Sequence, residues 1–307
     1  MALALPEASG TSPETGWRLS VEPVGNVSTL LDRLRGFAGG GAVALGVDFP
    51  IGLPRAYAAR HLDQSAGFPT FLRGLADRPG FLSVCSVLDE VGPGRPFYPM
   101  HGVRGMTRLA HALALGLDSA AGLSRLCDVA TLDRPAGAPL FWTLGANQTG
   151  KAAIAAWRDL LLPALAGPHP PALWPFDGAL LPLLHADRVV IAETYPAEAV
   201  RQLGLRMGGS KRRHADRVTL APAIRASMAG LSARPDPALD RSMADGFGQD
   251  AAGEDRMDCV LGLLCVLQVL AGRRPDTAPA DPWIQHWEGW VLGQPPAEAL
   301  SPQGRVG

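Results

Sequence analysis

Three apolar runs in this chain end or begin on carboxylates, and their placement constrains the fold more than any other feature. Val43-Ala-Leu-Gly-Val47 leads into Asp48-Phe-Pro-Ile-Gly-Leu-Pro54, and Val189-Val-Ile-Ala192 leads into Glu193-Thr-Tyr-Pro196. The third is Gly253-Glu-Asp255-Arg-Met-Asp258, which opens into Cys259–Leu270. The first two have the length and continuous apolarity of strands covered on both faces. The third reads as a helix that starts with acids. The carboxylates are about 145 and about 65 residues apart, so only folding brings them together. A convergent acidic cluster on a parallel sheet is the usual way to hold Mg²⁺ or Mn²⁺.

Each acid also has a plainer reading. Asp48 serves equally as a loop cap or half of a salt bridge, although an ionised carboxylate beside a buried strand is costly unless it is paired. Glu193 emerges where Pro196 stops the ladder, at the carboxyl end of a strand, where open α/β sheets bind ligands. Glu254 and Asp255 suit the first turn of a helix, offsetting its dipole. That argument explains Asp258, one turn further in, less well. Asp255 and Asp258 share a face, and continuing it gives Gly262 and Cys265, small residues that let the helix lie close to a sheet.

Helix followed by buried strand points to an α/β layer fold. Ser28–Gly36 is the predicted first helix, with Leu30, Leu31 and Leu34 on one face, and Trp17–Val24 a weak strand before it. Residues 1–15 read as frayed. Further helices are expected over Met106–Leu117, Leu123–Leu132, Lys151–Leu165 and from Ala197. A short strand is expected at Phe141–Leu144, and a loop or short helix over 229–252. Residues 55–140 read as a helical insertion that lids the acidic cleft. The domain reading is one α/β unit over 1–271, then a linker and a short Trp-rich helix over 272–307.

Composition removes several function classes. With 47% apolar and 19% charged residues the chain is globular, and its net charge of −1 offers no global attraction for nucleic acid. No apolar run approaches the roughly 20 residues of a membrane span, and the N-terminus lacks signal-peptide character, so a cytoplasmic location is the default. Cys85, Cys127, Cys259 and Cys265 form no CxxC pair and read as reduced, mostly buried thiols. The histidines form no HxxxH or HExxH pattern, and there is no GxSxG.

Two motifs compete with the acids. Gly145-Ala-Asn-Gln-Thr-Gly150-Lys151 fits GxxxxGK, but Ala152 stands where a phosphate-binding loop needs Ser or Thr. Its readings are a nucleotide site, a simpler anion contact through Lys151, or a glycine turn with a solvated lysine. The basic run Ser210-Lys-Arg-Arg-His214 with Arg217 is either a local phosphate contact or a solvated face. Trp283, Trp287 and Trp290 read as core packing rather than a base-stacking platform.

Taken in order, VDFPIGLP, AETYPAEAVRQLG with a following SKRRHADR, and GEDRMDCVLGLL resemble domain-of-unknown-function family 429, over roughly residues 40–271. That family is predicted to have an RNase H-like fold and nuclease activity. The resemblance implies an RNase H-like mixed sheet flanked by helices. It implies Asp48, Glu193 and Asp258 as catalytic acids, with Asp255 as a possible fourth ligand to Mg²⁺ or Mn²⁺, and it draws attention to Lys211 and Arg217 as phosphate contacts. The chain departs from the pattern at its start. RNase H-like folds open with a strand bearing an Asp, whereas here no Asp precedes Asp32 in the first helix. The pattern implies either a true start farther upstream or a degenerate first strand. The expected activity is metal-dependent phosphodiester hydrolysis on nucleic acid or a phosphate-containing small molecule. The alternatives are a nucleotide-dependent phosphotransferase using GANQTGK, or a catalytically degenerate binding or structural protein.

Overall fold

The structure is a computed structural model, and it describes residues 1–7, 16–102, 104–130, 135–145, 149–206 and 208–296. It is a mixed α/β protein with, among the described residues, two three-stranded sheets and no closed barrel. In chain order the elements are β1 (Ala2–Glu7), β2 (Gly16–Val21), α1 (Leu30–Ala38), β3 (Val43–Val47), α2 (Arg55–His61), α3 (Phe68–Arg73), α4 (Arg108–Ala114), α5 (Thr149–Ala156) and α6 (Leu162–Ala166). They continue with β4 (Ala172–Leu173), α7 (Leu180–Leu183), β5 (Val189–Glu193), α8 (Pro196–Gln202), α9 (His214–Gly230), β6 (Ala233–Pro235), α10 (Pro237–Ala244) and α11 (Ala252–Leu270).

Local chemistry sets many of these boundaries. Asn26 accepts from the Ser28 N–H at 3.0 Å, and α1 stops where Gly39 takes φ +55°, a conformation that suits glycine. Asp236 caps α10 through the Leu239 N–H at 2.7 Å, and Pro237 occupies the first turn, where no N–H is needed. Pro196 opens α8 in the same way, which turns the chain immediately after β5.

The sheets have the orders β1-β2-β6 and β3-β5-β4. In the first, β1 and β2 form an antiparallel hairpin and β6 joins β2 in parallel. The second is wholly parallel, with Val47 in register with Glu193. Every residue of β5 is buried, as its unbroken apolar run requires. Leu30, Leu31 and Leu34 of α1 share a core with Leu3, Val43 and Val47. On the other side α11 packs with α8 and α9 around Leu220, Ile224, Val260, Leu261 and Leu264. Gly262 makes this approach close: a Cβ there would lie 3.1 Å from the Thr194 hydroxyl.

Several expectations change. Residues 2–7, read as frayed, form β1, because Leu3 is drawn into the core beneath α1; residues 8–15 lie outside the described residues. The predicted helix over 123–132 is two short 3₁₀ turns, Ala120–Leu123 and Leu126–Asp128, because Arg125 is recruited into a buried ion pair. Phe141–Leu144 contributes only a bridge between Tyr98 and Trp142. Helix α9 begins within the basic run, and 229–252 holds both β6 and α10. The terminal tryptophans are core residues: Trp287 and Trp290 are buried. No described helix is long and apolar enough to cross a membrane.

Candidate functional site

Because β3 and β5 are parallel and in register, Asp48 and Glu193 leave the sheet at the same end. The small cleft there, about 70 Å³ and open to solvent, is lined by Asp48, Pro50, Arg125, Asp128, Thr149, Glu193 and Tyr195 among others. The two acids fare differently. Among the described residues no hydrogen bond or ion pair reaches the Asp48 carboxylate. Asp48 is an exposed residue, but its carboxylate sits in a concavity whose walls hold back part of the bulk water. That loss of hydration, reinforced by Asp258, Glu193 and Asp255 and opposed by Lys211, lifts its pKa to about 7.

Glu193 is buried and fully engaged. Arg125 Nη1 and Nη2 donate to its two oxygens at 2.7 Å each, and the Ile51 N–H donates at 2.8 Å. Burial pushes the Glu193 carboxyl up and Arg125 pulls it back. Arg125 is only 1% exposed, and its Nε and Nη2 also donate to Asp128 at 2.9 and 3.0 Å. This planar, two-sided recognition suits a guanidinium and no other side chain. Arg125 and Asp128 carry no sequence signal that ties them to Glu193, 68 residues away.

The loop after Asp48 is held by the C-terminal segment. Leu53 N–H donates to Trp287 O at 2.7 Å, and Trp157 Nε1 donates to Pro50 O at 2.8 Å. Gly52 has φ +144°, and a Cβ on it would lie 2.0 Å from Glu288 O; a Cβ on Gly289, at φ +67°, would lie 2.1 Å from Ile51 O. Two backbones thus meet where no side chain fits. Glu288 is buried and accepts from the Leu126 N–H at 3.2 Å and from Arg55 Nη2 at 3.1 Å.

Outside this lining but electrostatically coupled to Asp48, Lys211 Nζ donates to Asp258 and lies 3.4 Å from Glu254. Burial works to lower the Lys211 pKa, but Asp258, Glu254 and Asp48 outweigh it and hold it above the ordinary lysine value. Burial raises Asp258, against Lys211, and Asp258 Oδ1 is buried without a hydrogen-bond partner. Asp255 is exposed. Arg217 does not face the cleft as a phosphate contact would. It is 2% exposed and donates to the carbonyls of Gly246, Lys211 and Gly248 at 2.7, 2.8 and 2.6 Å. It positions the Lys211 loop against the start of α11, where Gly253 leaves room: a Cβ there would lie 2.5 Å from Arg217 Nη2.

The expected ligand set Asp48, Glu193, Asp255 and Asp258 is therefore brought to one end of the sheet but divided. Arg125 takes Glu193 and Lys211 takes Asp258, and among the described residues no three His, Cys, Asp or Glu side chains are grouped to hold a metal ion. Of the GANQTGK loop, Ala146–Gln148 lie outside the described residues. Lys151 is exposed, and it projects from α5 roughly 200° around the helix from Thr149, which lines the cleft. A wider groove of about 210 Å³ lies between α1 and α6, but its Asp32 and Arg35 pair with each other at 2.8 Å and it holds none of the predicted site residues.

Fold and site together define a mixed α/β protein with an acidic cleft at the carboxyl ends of a parallel sheet. Comparison with known proteins found no matching family model, no similar curated protein and no similar solved structure.

Proposed function

We propose that this chain is an RNase H-like hydrolase of phosphate diesters, as the resemblance to family 429 implies. The observation that carries the reading is the unpaired Asp48 carboxylate facing α11, where Asp258 Oδ1 is buried without a partner. A four-carboxylate metal centre does not fit the side chains as they lie, since Glu193 is committed to Arg125. A two-carboxylate mode does fit: Mg²⁺ is commonly held by one or two carboxylates, several waters and the substrate's phosphate. Asp48 and Asp258 would hold Mg²⁺ or Mn²⁺ in this way, with exposed Asp255 acting through water. The bound ion would supply Lewis-acid character and an activated water.

The chain's own residues account for the rest. Arg125 keeps Glu193 ionised and fixes the Ile51 amide, so the loop that carries Asp48 is held rigid. Lys211 balances Asp258 while the cleft is empty and is placed to turn toward a phosphate oxygen.

The test is hydrolysis of bis(p-nitrophenyl) phosphate and of single- and double-stranded nucleic acid with Mn²⁺. Turnover is expected, falling at least ~100-fold in Asp48→Asn and Asp258→Asn. The proposal fails if calorimetry finds no Mn²⁺ binding to the purified chain, or if Asp48→Asn binds the ion as well as the wild type does.

A further inference from the structure

Of the 28 lysines and arginines in this chain only two, Lys151 and Lys211, are lysines. Lys151 is exposed, whereas Lys211 stands among the acids. The choice of cation matters there. A guanidinium is a broad planar fork, while an ammonium is a compact point charge on a flexible stem, closer in kind to a metal ion.

Asp258 offers an incoming ion little room. Its Oδ1 is buried without a hydrogen-bond partner, and its Oδ2 accepts from Lys211 Nζ. An ion that keeps part of its water shell reaches this carboxylate through Oδ2, so it meets the ammonium first. The other cations at this end are engaged elsewhere. Arg212 Nε lies 3.7 Å from Glu254, and Arg256 bonds to Asp250 at 2.8 and 2.9 Å. The Met1 ammonium donates to Glu22 O at 2.7 Å and lies against the Cys259 thiol, and Arg217 is caged by three carbonyls. Among the described residues Lys211 is the one cation bonded to Asp258, and it also acts on Asp48 through its charge.

The main chain beneath this side chain is fixed. Arg217 Nη1 donates to Lys211 O at 2.8 Å, Asp216 accepts from the Ser210 N–H at 2.8 Å, and the Arg213 N–H donates to Ser210 O at 2.8 Å. The loop is pinned on both sides of residue 211, so any exchange of partners falls to the four-carbon stem alone. Glu254, 3.4 Å from Nζ and partly exposed, gives the ammonium a second carboxylate once it leaves Asp258.

We propose that Lys211 is the resident cation of this site: its ammonium occupies the place at Asp258 that a divalent ion takes, excludes monovalent ions from it, and swings out when the divalent ion binds. The inference rests on the reading of Asp48 and Asp258 as ion ligands and adds how that site is guarded. A tethered ammonium is present at high effective concentration, and a monovalent ion brings no more charge than it displaces. A divalent ion brings twice the charge and draws on Asp48 as well, so it wins the exchange. Occupancy by the ion and exposure of the Lys211 amine are then one equilibrium.

Amine acetylation follows that equilibrium without any turnover. The full chain is pulsed with N-hydroxysuccinimidyl acetate at mildly alkaline pH, and mass spectrometry follows both lysines, Lys151 being the reference inside the same molecule. In ion-free protein Lys211 should react at least tenfold more slowly than Lys151. Mn²⁺ should speed Lys211 at least fivefold, half-maximally at the concentration that half-saturates calorimetric binding, and leave Lys151 unchanged. K⁺ should affect neither. Asp258→Asn should free Lys211 without any ion. Lys211→Met should bind Mn²⁺ at least tenfold more tightly and let K⁺ compete, whereas Lys211→Arg should bind it no more tightly than the wild type. The proposal is overturned if Lys211 reacts as fast as Lys151 in ion-free protein, if K⁺ releases it as well as Mn²⁺ does, or if no concentration of Mn²⁺ speeds it. In the last case saturable Mn²⁺ binding by calorimetry leaves the hydrolase reading standing, and the role of Lys211 alone falls. Release of Lys211 by Mn²⁺ without phosphodiester turnover sinks the hydrolase reading alone.

Discussion

Arg125→Ala is the substitution whose consequences the structure defines most fully. The guanidinium makes two bonds of 2.7 Å to Glu193 and bonds of 2.9 and 3.0 Å to Asp128, at 1% exposure. Removing it leaves the buried Glu193 carboxylate with the Ile51 amide and no counter-charge. Breaking a buried pair from one side costs about 3–5 kcal/mol, a large fraction of the ~5–15 kcal/mol by which a domain is stable. Glu193→Gln should cost less, because Arg125 retains Asp128 and the amide still accepts a hydrogen bond. Combining Arg125→Ala with Glu193→Gln should recover part of the loss and give a coupling of roughly 1–3 kcal/mol in a double-mutant cycle. The pH dependence follows from the same geometry. With Arg125 gone, burial and the Asp128 charge act on Glu193 against only the Ile51 amide, and its folded pKa moves further above the usual 4.5. A raised acid is protonated in the folded state, so its contribution is complete below the unfolded pKa and declines as pH rises through the folded one. Urea denaturation of Arg125→Ala should therefore show stability falling with pH in the neutral range, by up to about 1.4 kcal/mol per unit. A loss below about 1 kcal/mol, additive single mutants, or an Arg125→Ala variant that gains stability with pH would refute the assignment of this pair.

Activity should rise with pH through about 7 as Asp48 ionises, and a pH–rate profile of Asp48→Asn should lose that limb. Asp48→Asn should also raise the melting temperature more at pH 8 than at pH 5, because a carboxyl whose folded pKa is raised loses stability as pH climbs toward that value. Lys211→Ala should destabilise by roughly 1–2 kcal/mol, since the Asp258 pair is only partly buried, while calorimetry should show tighter Mn²⁺ binding once the competing ammonium is gone. Gly52→Ala should cost about 3 kcal/mol or more, because the added Cβ would meet Glu288 O at 2.0 Å; a thermal melt within 2 °C of wild type would argue against the close approach.

Periodicity and apolar runs made part of this molecule legible. Val43–Val47 and Val189–Glu193 are strands because only a doubly covered strand accepts so unbroken a run, and the small face of α11 does lie close to the sheet through Gly262. The acids at Asp48, Glu193 and Asp258 come to one end of the sheet, as the run endings suggested. Other elements carried weak signals. β1 contains Pro6 and follows no clean alternation; it is a strand because Leu3 packs beneath α1 and because Met1 pairs with Glu22. Arg125 looked like one more charge in a helical stretch, and its capture by Glu193 and Asp128 replaced the expected helix with turns. Arg217 looked like part of a basic surface, yet three carbonyls from two loops bury it.

What the sequence alone determined is the set of acids and the strand-and-helix frame that carries them, because local apolarity and chain direction are properties of short segments. Only the tertiary structure decided which acids stay free. Charge pairing depends on residues distant in the chain: Arg125 reaches Glu193 and Lys211 reaches Asp258, which leaves Asp48 unpaired.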